Sequence, residues 1–167
     1  MSKNYNETDK YVFFYGSCYS QWAIGNMLID GETYNCCEQY MMAEKAKLFG
    51  DHESLKKIMR AYDPAVQKAL GRKVKNFDKD TWEAIAQDVV FKANWAKFNQ
   101  NEDWKKQLLA TGDKIIVEAS PTDCIWGIGM YCDDPGIEDP KNWRGTNWLG
   151  EAIMKVREQL TKELING

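Results

Sequence analysis

The sequence contains few of the residues on which common catalytic and metal sites depend. Its 167 residues include one histidine, His52, which lies in a polar stretch after Gly50. A Ser-His triad or a multi-histidine metal site needs histidine at its centre, so both kinds of site are disfavoured. The five cysteines show no CxxC spacing, and Cys36 and Cys37 are adjacent. We therefore expect free thiols, no metal site and no cofactor.

Long apolar runs and a large excess of one charge are also missing. No apolar segment approaches the roughly 20 residues that span a bilayer, and the polar start MSKNYNETDKY lacks the apolar core of a secretory signal. The formal net charge of -3 argues against general attraction to nucleic acid or to acidic membranes. These features favour a cytoplasmic protein that makes no membrane contact.

The patterns that are present predict one helix-rich α+β domain. Strands are predicted at YVFFYG and KIIVEAS, and a hairpin at Asp30-Gly31. Helices are predicted before a glycine cap at Gly50, over 52–62, and from an N-cap at Asp63 with Pro64 at the first helical position. Further helices are predicted from a capping box at Asp80 and Glu83 to about residue 100, over EDWKKQLLATG and from residue 148. We expect residues 1–10 to be a flexible N-terminus and 11–167 to be a single domain.

The helix CCEQYMMAEKAKLFGD carries two charges on its apolar stripe. Glu38 and Lys45 are seven residues apart, which places them on one face about 10 Å apart along the helix axis. The opposite face is expected to meet solvent and comprises Tyr40, Glu44, Lys47 and Asp51. Glu38 and Lys45 are either ordinary partly exposed residues or groups that line a cleft. In a cleft, burial would raise the pKa of the glutamate and lower that of the lysine, which would make a proton donor and a nucleophile.

Two aromatic stretches and one basic stretch offer further candidate site residues. In EASPTDCIWGIG, Asp123 can orient a hydroxyl or act as an acid or base, Trp126 offers a stacking face, and Gly127 allows close backbone approach. The stretch FFYGSCYSQW can grip a planar base and a ribose, whereas KALGRKVKNF offers an arginine for phosphate. Each stretch can equally be a turn or a solvated surface. The candidate site residues of FFYGSCYSQW are Tyr15, Gly16, Ser20 and Trp22, and that of KALGRKVKNF is Arg72.

Carboxylates, one lysine and many aromatic residues suit cleavage at an acetal-like carbon. The transition state there resembles an oxocarbenium ion, which a nearby carboxylate stabilises, and the leaving group needs a proton. The same residues also suit a binding pocket without chemistry, and the residue pattern leaves both possibilities open.

Several of these stretches, taken in order and spacing, match a known family. They are FFYG…SQW, DGETYNCCEQYMMAEKAKLFGD, LGRKV, KANWAKFNQN, LLATGDKIIVEASPTDCIWGIG and GTNWLGEAIMKVR. Together they resemble the NADAR family, the NAD- and ADP-ribose-associated proteins that include the YbiA-like enzymes. The resemblance covers about Tyr11 to Leu160. It implies a helix-dominated α+β fold distinct from the Rossmann fold, and N-glycosidase chemistry on a ribose linked through nitrogen.

The resemblance also implies roles for individual residues. The family's helix glutamate and lysine fall on Glu38 and Lys45, and its loop acid and tryptophan fall on Asp123 and Trp126. The lysine would capture the opened ribose as a Schiff base while Glu38 moves protons. Arg72 would meet a phosphate. The residues expected to hold the ribose or base are Tyr15, Ser20 and Trp22.

Two activities are associated with the family, so the substrate stays open at this point. Some members remove ADP-ribose from modified guanine in nucleotides or nucleic acid, and this is the first hypothesis. Others hydrolyse phosphorylated pyrimidine intermediates of riboflavin synthesis. A third possibility is a non-catalytic module that binds ADP-ribose or a nucleotide. The loop over 130–143 is longer and more acidic than in the shorter YbiA-like members, so it bears on the choice of substrate if it borders the pocket. Because the YbiA-like members carry a different sequence at the loop, the riboflavin intermediates are the second hypothesis.

Overall fold

Six α-helices and five short strands are formed by residues 4–167, the part of the chain that this computed structural model describes. The strands are β1 (Tyr5–Glu7), β2 (Tyr11–Phe14), β3 (Met27–Ile29), β4 (Glu32–Tyr34) and β5 (Ile115–Glu118). The helices are α1 (Cys37–Leu48), α2 (His52–Arg60), α3 (Pro64–Gly71), α4 (Lys79–Gln100), α5 (Glu102–Ala110) and α6 (Trp148–Asn166), with a 3-10 turn at Pro140–Asn142. The predicted helix-rich α+β class is confirmed. None of the helices in this part of the chain is long and apolar enough to cross a membrane.

These elements group into two compact units. The terminal unit combines the described residues up to Ser20 with Asn101–Gly167 and contains β1, β2, β5, α5 and α6. The central unit is Gln21–Gln100 and contains the β3-β4 pair and the helices α1 to α4.

A three-stranded sheet with the order β1-β2-β5 underlies the terminal unit. β2 pairs antiparallel with β1 and parallel with β5. All four residues of β2 are buried, which explains why this central strand is a continuous apolar run rather than an alternating one. Helix α6 packs against β5. Gly150 permits this packing, because a Cβ there would lie 2.1 Å from the carbonyl oxygen of Ile116.

Helix α1 is the centre of the central unit and contacts α2, α3 and α4. The close approach of α3 depends on Gly71, where a Cβ would lie 1.9 Å from the Sδ atom of Met42. The predicted hairpin at Asp30-Gly31 is confirmed: both residues have positive φ, as a two-residue type I′ turn requires.

The first two turns of α1 are buried on every side. Each residue from Cys37 to Ala43 is buried, so the expected solvent-facing side does not exist there. Tyr40, placed on that side by the pattern, packs edge-on against Tyr34 with ring centroids 5.0 Å apart. The prediction was wrong for Tyr40 and Asp51, which are buried, whereas the same face is part-buried at Glu44 and exposed at Lys47. Tyr40 is covered because three helices and strand β4 pack against α1.

The C-terminus of α1 has the predicted glycine cap. Gly50 has a φ of +69°, its N–H donates to the carbonyl of Lys47, and the N–H of Asp51 donates to that of Ala46. This pair of bonds is a Schellman motif, which satisfies the last carbonyls of the helix.

Asp51 then caps α2 and holds the segment that follows α3. Its carboxylate accepts hydrogen bonds from the backbone N–H and hydroxyl of Ser54 and from the backbone N–H of Lys75. These bonds lower the pKa of Asp51 from 3.8 to about 2. A depressed carboxylate pKa contributes stability that is fully present above the unfolded-state pKa and is lost as the pH falls through the folded-state value.

We therefore expect Asp51→Ala to lower the melting temperature by about 2–4 °C at pH 6, the usual effect of losing one helix cap in a chain of this size. Near pH 2.5 the difference in melting temperature between wild type and variant should narrow. The wild-type carboxylate is then close to its pKa, so it is partly protonated and its hydrogen bonds stabilise the fold less. Thermal melts followed by circular dichroism measure both gaps. Asp9→Ala, at an exposed aspartate, is the control. A gap that is the same at both pH values would contradict the prediction.

Two details of the predicted chain organisation differ from the structure. Helix α4 begins at Lys79 and is capped by Asp78, whose carboxylate accepts from the backbone N–H and the hydroxyl of Thr81. The predicted cap at Asp80 was therefore wrong by two residues, since KNFDKDT offers two aspartates at cap-like positions. The segment predicted as a flexible N-terminus contains strand β1, whereas its first three residues lie outside the described part of the chain.

Candidate active site

Lys45 lies in the third turn of α1 and is half-buried. Burial lowers the pKa of its amine, the negative charge of Glu38 raises it, and the positive charge of Arg72 lowers it further. The net direction is downward, because the loss of hydration outweighs the attraction of Glu38. A lysine with a lowered pKa is deprotonated more often near neutral pH, and only the neutral amine is a nucleophile.

Two aromatic rings lie against the amine of Lys45. The Nζ atom is 5.3 Å from the ring centroid of Phe77 and 5.3 Å from that of Trp82. Phe77 is in turn held by an edge-to-face contact with Phe49, at the end of α1. Aromatic faces attract a cation, so they favour a protonated amine or an iminium at this position. The surroundings of Lys45 thus combine burial, which disfavours a free ammonium, with rings that can stabilise a positive charge formed during reaction.

Glu38 lies in the first turn of α1 and is 6% exposed. Its backbone N–H donates to the carbonyl oxygen of Gln21, 3.0 Å away. The positive end of the helix dipole favours a carboxylate in this turn. The burial of Glu38 and half-burial of Lys45 fit groups that line a cleft better than ordinary surface residues, and the charge of Glu38 acts on the amine of Lys45. Their catalytic roles stay a prediction.

Arg72 follows α3 directly and is exposed, close enough for its charge to act on Lys45. One turn earlier on α3, the Nζ atom of Lys68 lies 5.9 Å from the ring centroid of Trp22. The indole of Trp22 is 43% exposed. The central unit therefore presents an accessible aromatic surface and two cations near the Glu38 and Lys45 pair, and these groups can contact a flat ring and an anion.

Arg72 should tune the amine of Lys45. We expect Arg72→Gln to raise the pKa of Lys45, since it removes one positive charge that disfavours protonation. NMR titration of the lysine side-chain Cε and Nζ resonances measures this, with Lys45→Arg to assign the signal. Lys73→Gln is the matched control because it removes the neighbouring exposed cation, which does not influence the pKa of Lys45. Equal titration curves in the two variants would refute the assignment.

The loop predicted to carry Asp123, Trp126 and Gly127 belongs to the terminal unit. The Oδ1 atom of Asp123 accepts from the backbone N–H groups of Ile125, at 2.9 Å, and Trp126, at 2.8 Å. The indole of Trp126 packs edge-on against Trp148, with ring centroids 5.5 Å apart. These contacts show that the acid and the tryptophan hold the loop together. Their predicted contact with substrate stays a prediction.

Gly127 is required by packing within this loop. A Cβ on Gly127 would lie 2.9 Å from the carbonyl oxygen of Glu118 and 3.0 Å from that of Asp123. Close backbone approach at Gly127 is therefore needed for packing inside the protein, and its contact with substrate stays a prediction.

The remaining predicted residues lie near the end of the first segment of the terminal unit. Tyr15 is 46% exposed, and Gly16 has a φ of +120°, a conformation that favours glycine. The backbone N–H of Ser20 closes a turn onto the carbonyl of Ser17. Their role in substrate binding also stays a prediction. The ten predicted residues thus divide between the units: Trp22, Glu38, Lys45 and Arg72 are central, and the other six are terminal.

Comparison with known proteins identifies the family. The sequence model of the NADAR domain matches residues 5–161, which is nearly the whole chain. The chain belongs to the NADAR family. The resemblance that the motifs indicated is therefore confirmed.

Curated relatives within and beyond the bacteria support the assignment to NADAR. An N-glycosidase of Acanthamoeba polyphaga mimivirus is 46% identical to the chain, and the alignment covers 92% of the chain and 98% of that protein. N-glycosidase YbiA of Escherichia coli is 32% identical over 95% of the chain and 88% of its own length. The solved NMR structure of the E. coli protein YbiA superposes with a TM-score of 0.79 at 28% identity, covering 100% of this chain and 97% of that one.

Sequence reasoning missed three residues of the NADAR central unit that surround Glu38 and Lys45. Trp82 was assigned only to the apolar side of α4, and Phe77 was not singled out, although both rings contact Lys45. Lys97 in α4 is 2% exposed and its charge acts on the thiol of Cys37, next to Glu38. The signal that singled out Glu38 and Lys45, a charge at a position of the apolar stripe, also applies to Lys97, which follows Val90 by two turns.

Within residues 4–167, no group of three or more histidine, cysteine, aspartate or glutamate side chains could hold a metal ion. The site around Glu38, Lys45 and Arg72 therefore offers the chemistry of a carboxylate, an amine, a guanidinium and aromatic rings.

Proposed function

We propose that the chain is an N-glycosidase in which Lys45 is the nucleophile and Glu38 transfers protons. The general activity is supported by relatives that cover nearly the whole chain and are named N-glycosidases. The observation that carries the mechanism is the environment of the Lys45 amine. It is half-buried, burial lowers its pKa and the charge of Glu38 acts on it. It also lies against two aromatic rings.

In the first half-reaction the neutral amine of Lys45 attacks C1′ of the ribose. The bond between C1′ and the base nitrogen breaks, and the protonated carboxyl of Glu38 donates its proton to the departing base. The resulting carboxylate takes a proton from the attached nitrogen. Glu38 then gives this proton to the ring oxygen as the ribose ring opens, which leaves a protonated Schiff base between C1′ and Lys45 and a carboxylate at Glu38.

In the second half-reaction water adds to C1′ of the Schiff base, and Glu38 accepts the proton that the water loses. Glu38 gives its proton to the nitrogen and takes up the proton of the new hydroxyl as the bond between C1′ and Lys45 breaks, which releases the sugar as its aldehyde and regenerates the neutral amine. The net reaction consumes one water molecule and yields free base and free sugar. The rings of Phe77 and Trp82 would stabilise the positive charge of the Schiff base, which is present only during the reaction.

The proposed substrate is ADP-ribosylated guanine, as a nucleotide or within nucleic acid. The accessible Trp22 face, with Lys68 beside it, suits stacking with a flat base. The exposed Arg72 suits a phosphate of ADP-ribose. The net charge of -3 fits a protein that acts on one modified base better than one that binds long nucleic acid tightly.

The test is to incubate the purified chain with ADP-ribosylated guanosine, with an ADP-ribosylated oligonucleotide and with the phosphorylated pyrimidine intermediates of riboflavin synthesis. Liquid chromatography with mass spectrometry measures the sugar and base released. We expect release of ADP-ribose from the modified guanine. Turnover of the pyrimidine intermediates alone would show that they, and not ADP-ribosylated guanine, are the substrate. Tight binding of ADP-ribose by calorimetry without any turnover would instead indicate a binding module.

A further inference from the structure

The start of α1 is held by a main-chain contact instead of a capping side chain. Its N-cap residue, Cys36, makes no side-chain cap hydrogen bond. The first amides of a helix have no partner within the helix. The N–H of Glu38 is one of these, and it donates to the carbonyl oxygen of Gln21 at 3.0 Å. The position of Gln21 therefore decides where the first turn of α1, and with it Glu38, is placed.

The side chain of Gln21 is held from two helices. Its Oε1 atom accepts a hydrogen bond of 2.9 Å from the Nδ2 atom of Asn94 in α4, and its Nε2 atom contacts the Sδ atom of Met41 in α1 at 3.7 Å. Gln21 is 8% exposed, Met41 6% and Asn94 0%. A buried residue tied at both ends of its amide has little freedom to move, so its backbone carbonyl is fixed as well.

The orientation of the Asn94 amide is set by a second bond. Its Nδ2 atom also donates to the carbonyl oxygen of Val90 at 2.8 Å, and a reversed amide would place an oxygen against that carbonyl. The Oδ1 atom of Asn94 is buried and has no hydrogen-bond partner among the described residues. A buried acceptor without a partner lowers stability.

We propose that Gln21 and Asn94 are positioning residues that hold Glu38 where it transfers protons. This inference rests on the proposed function for the role of Glu38. The contact chain runs from Asn94 through the side chain of Gln21 to its carbonyl and then to the N–H of Glu38. Because Trp22 follows Gln21 directly in sequence, the same anchor limits the movement of the exposed indole.

The first test measures the contact itself and needs no activity. Hydrogen–deuterium exchange followed by NMR reports the protection of the Glu38 amide. In Asn94→Leu, which removes the donor and keeps the side-chain volume, we expect this amide to exchange about tenfold faster or more. Gln21→Asn, which shortens the side chain by one methylene, is a milder variant with the same expectation. Unchanged exchange at Glu38 in both variants would overturn the proposed anchor.

The second test measures catalysis on ADP-ribosylated guanosine. We expect Asn94→Leu and Gln21→Asn each to lower kcat roughly tenfold while KM stays within about twofold, because Glu38 is misplaced and the binding groups remain. The double variant should lose no more than either single variant, since both residues act through one hydrogen bond. A wild-type kcat in both variants would show that Gln21 and Asn94 serve folding alone.

Asp51→Ala is the matched control. The Asp51 carboxylate accepts from Ser54 and from the N–H of Lys75, so its loss destabilises the same unit without removing a bond to Gln21, Asn94 or the first turn of α1. We expect a lower melting temperature with kcat and Glu38 exchange unchanged. An equal loss of kcat in this control would assign the effect to general destabilisation and overturn the proposal. If the wild-type protein turns over no substrate, the proposed function fails, whereas the exchange measurement still decides the anchor.

Discussion

Replacing Lys45 by alanine is expected to lower release of ADP-ribose by at least about 10³-fold, in the range seen when other enzymes lose a covalent nucleophile. The physical reason is that Lys45 is the one amine among residues 4–167 that lies against both Phe77 and Trp82. Single-turnover assays on ADP-ribosylated guanosine measure the loss. Lys47→Ala, two residues along the same helix and exposed, is the matched control and should retain activity.

Covalent trapping distinguishes a nucleophile from a residue that only binds substrate. Borohydride reduces a Schiff base to a stable secondary amine, so we expect an adduct on Lys45 by peptide mass spectrometry when wild type, substrate and borohydride are combined. Lys45→Arg keeps the positive charge but cannot form the Schiff base, so it should show neither adduct nor turnover. Full activity in Lys45→Arg would contradict the proposed mechanism.

Replacing Glu38 by glutamine is the second large effect we expect. The variant keeps the shape of the side chain but cannot exchange a proton, and kcat should fall by roughly 10²- to 10⁴-fold, the usual contribution of general acid–base catalysis. The pKa of Lys45 should also fall further, because the carboxylate charge that raises it is gone. In the pH–rate profile, residual activity rises with pH as Lys45 loses its proton. This ascending limb should therefore move to lower pH, whereas Arg72→Gln is expected to raise the pKa of Lys45.

A pH–rate profile of Glu38→Gln measures both the loss and the direction of the shift. Glu44→Gln is the control on the same helix, since Glu44 pairs with Lys47 at the half-exposed surface and does not influence the pKa of Lys45. A limb that moves to higher pH in Glu38→Gln, or a Glu44→Gln variant that loses as much activity, would refute the assigned role.

Local sequence signals predicted most of the elements correctly because those elements depend on neighbouring residues. The Asp63-Pro64 pair starts α3 as expected, with the Asp63 carboxylate accepting from the N–H of Ala65. The turn at Asp30-Gly31 and the glycine cap of α1 also follow from local backbone preferences. The start of α4 was misplaced because Asp78 and Asp80 offer nearly the same local signal, and only the bond to Thr81 distinguishes them.

Strand β1 and the burial of Tyr40 were missed for a different reason. Residues 5–7 carry little apolar pattern and form a strand because β2 offers an unpaired edge. Tyr40 is buried because Tyr34, from the neighbouring hairpin, packs against it. Pairing and packing of this kind join residues that are distant in the chain or follow from the whole arrangement, and periodicity along one segment does not record them.

The sequence by itself determined that Glu38 and Lys45 share one face of a helix, since seven residues are close to two helical turns. Family motifs then indicated which chemistry those two residues serve. The tertiary structure decided what surrounds them: α4 and the segment after α3 bring Trp82 and Phe77 against Lys45, and Gln21 holds the amide of Glu38. The loss of hydration that lowers the pKa of Lys45 depends on these neighbours. Desolvation is a property of the packed fold, so spacing along the chain could only suggest it.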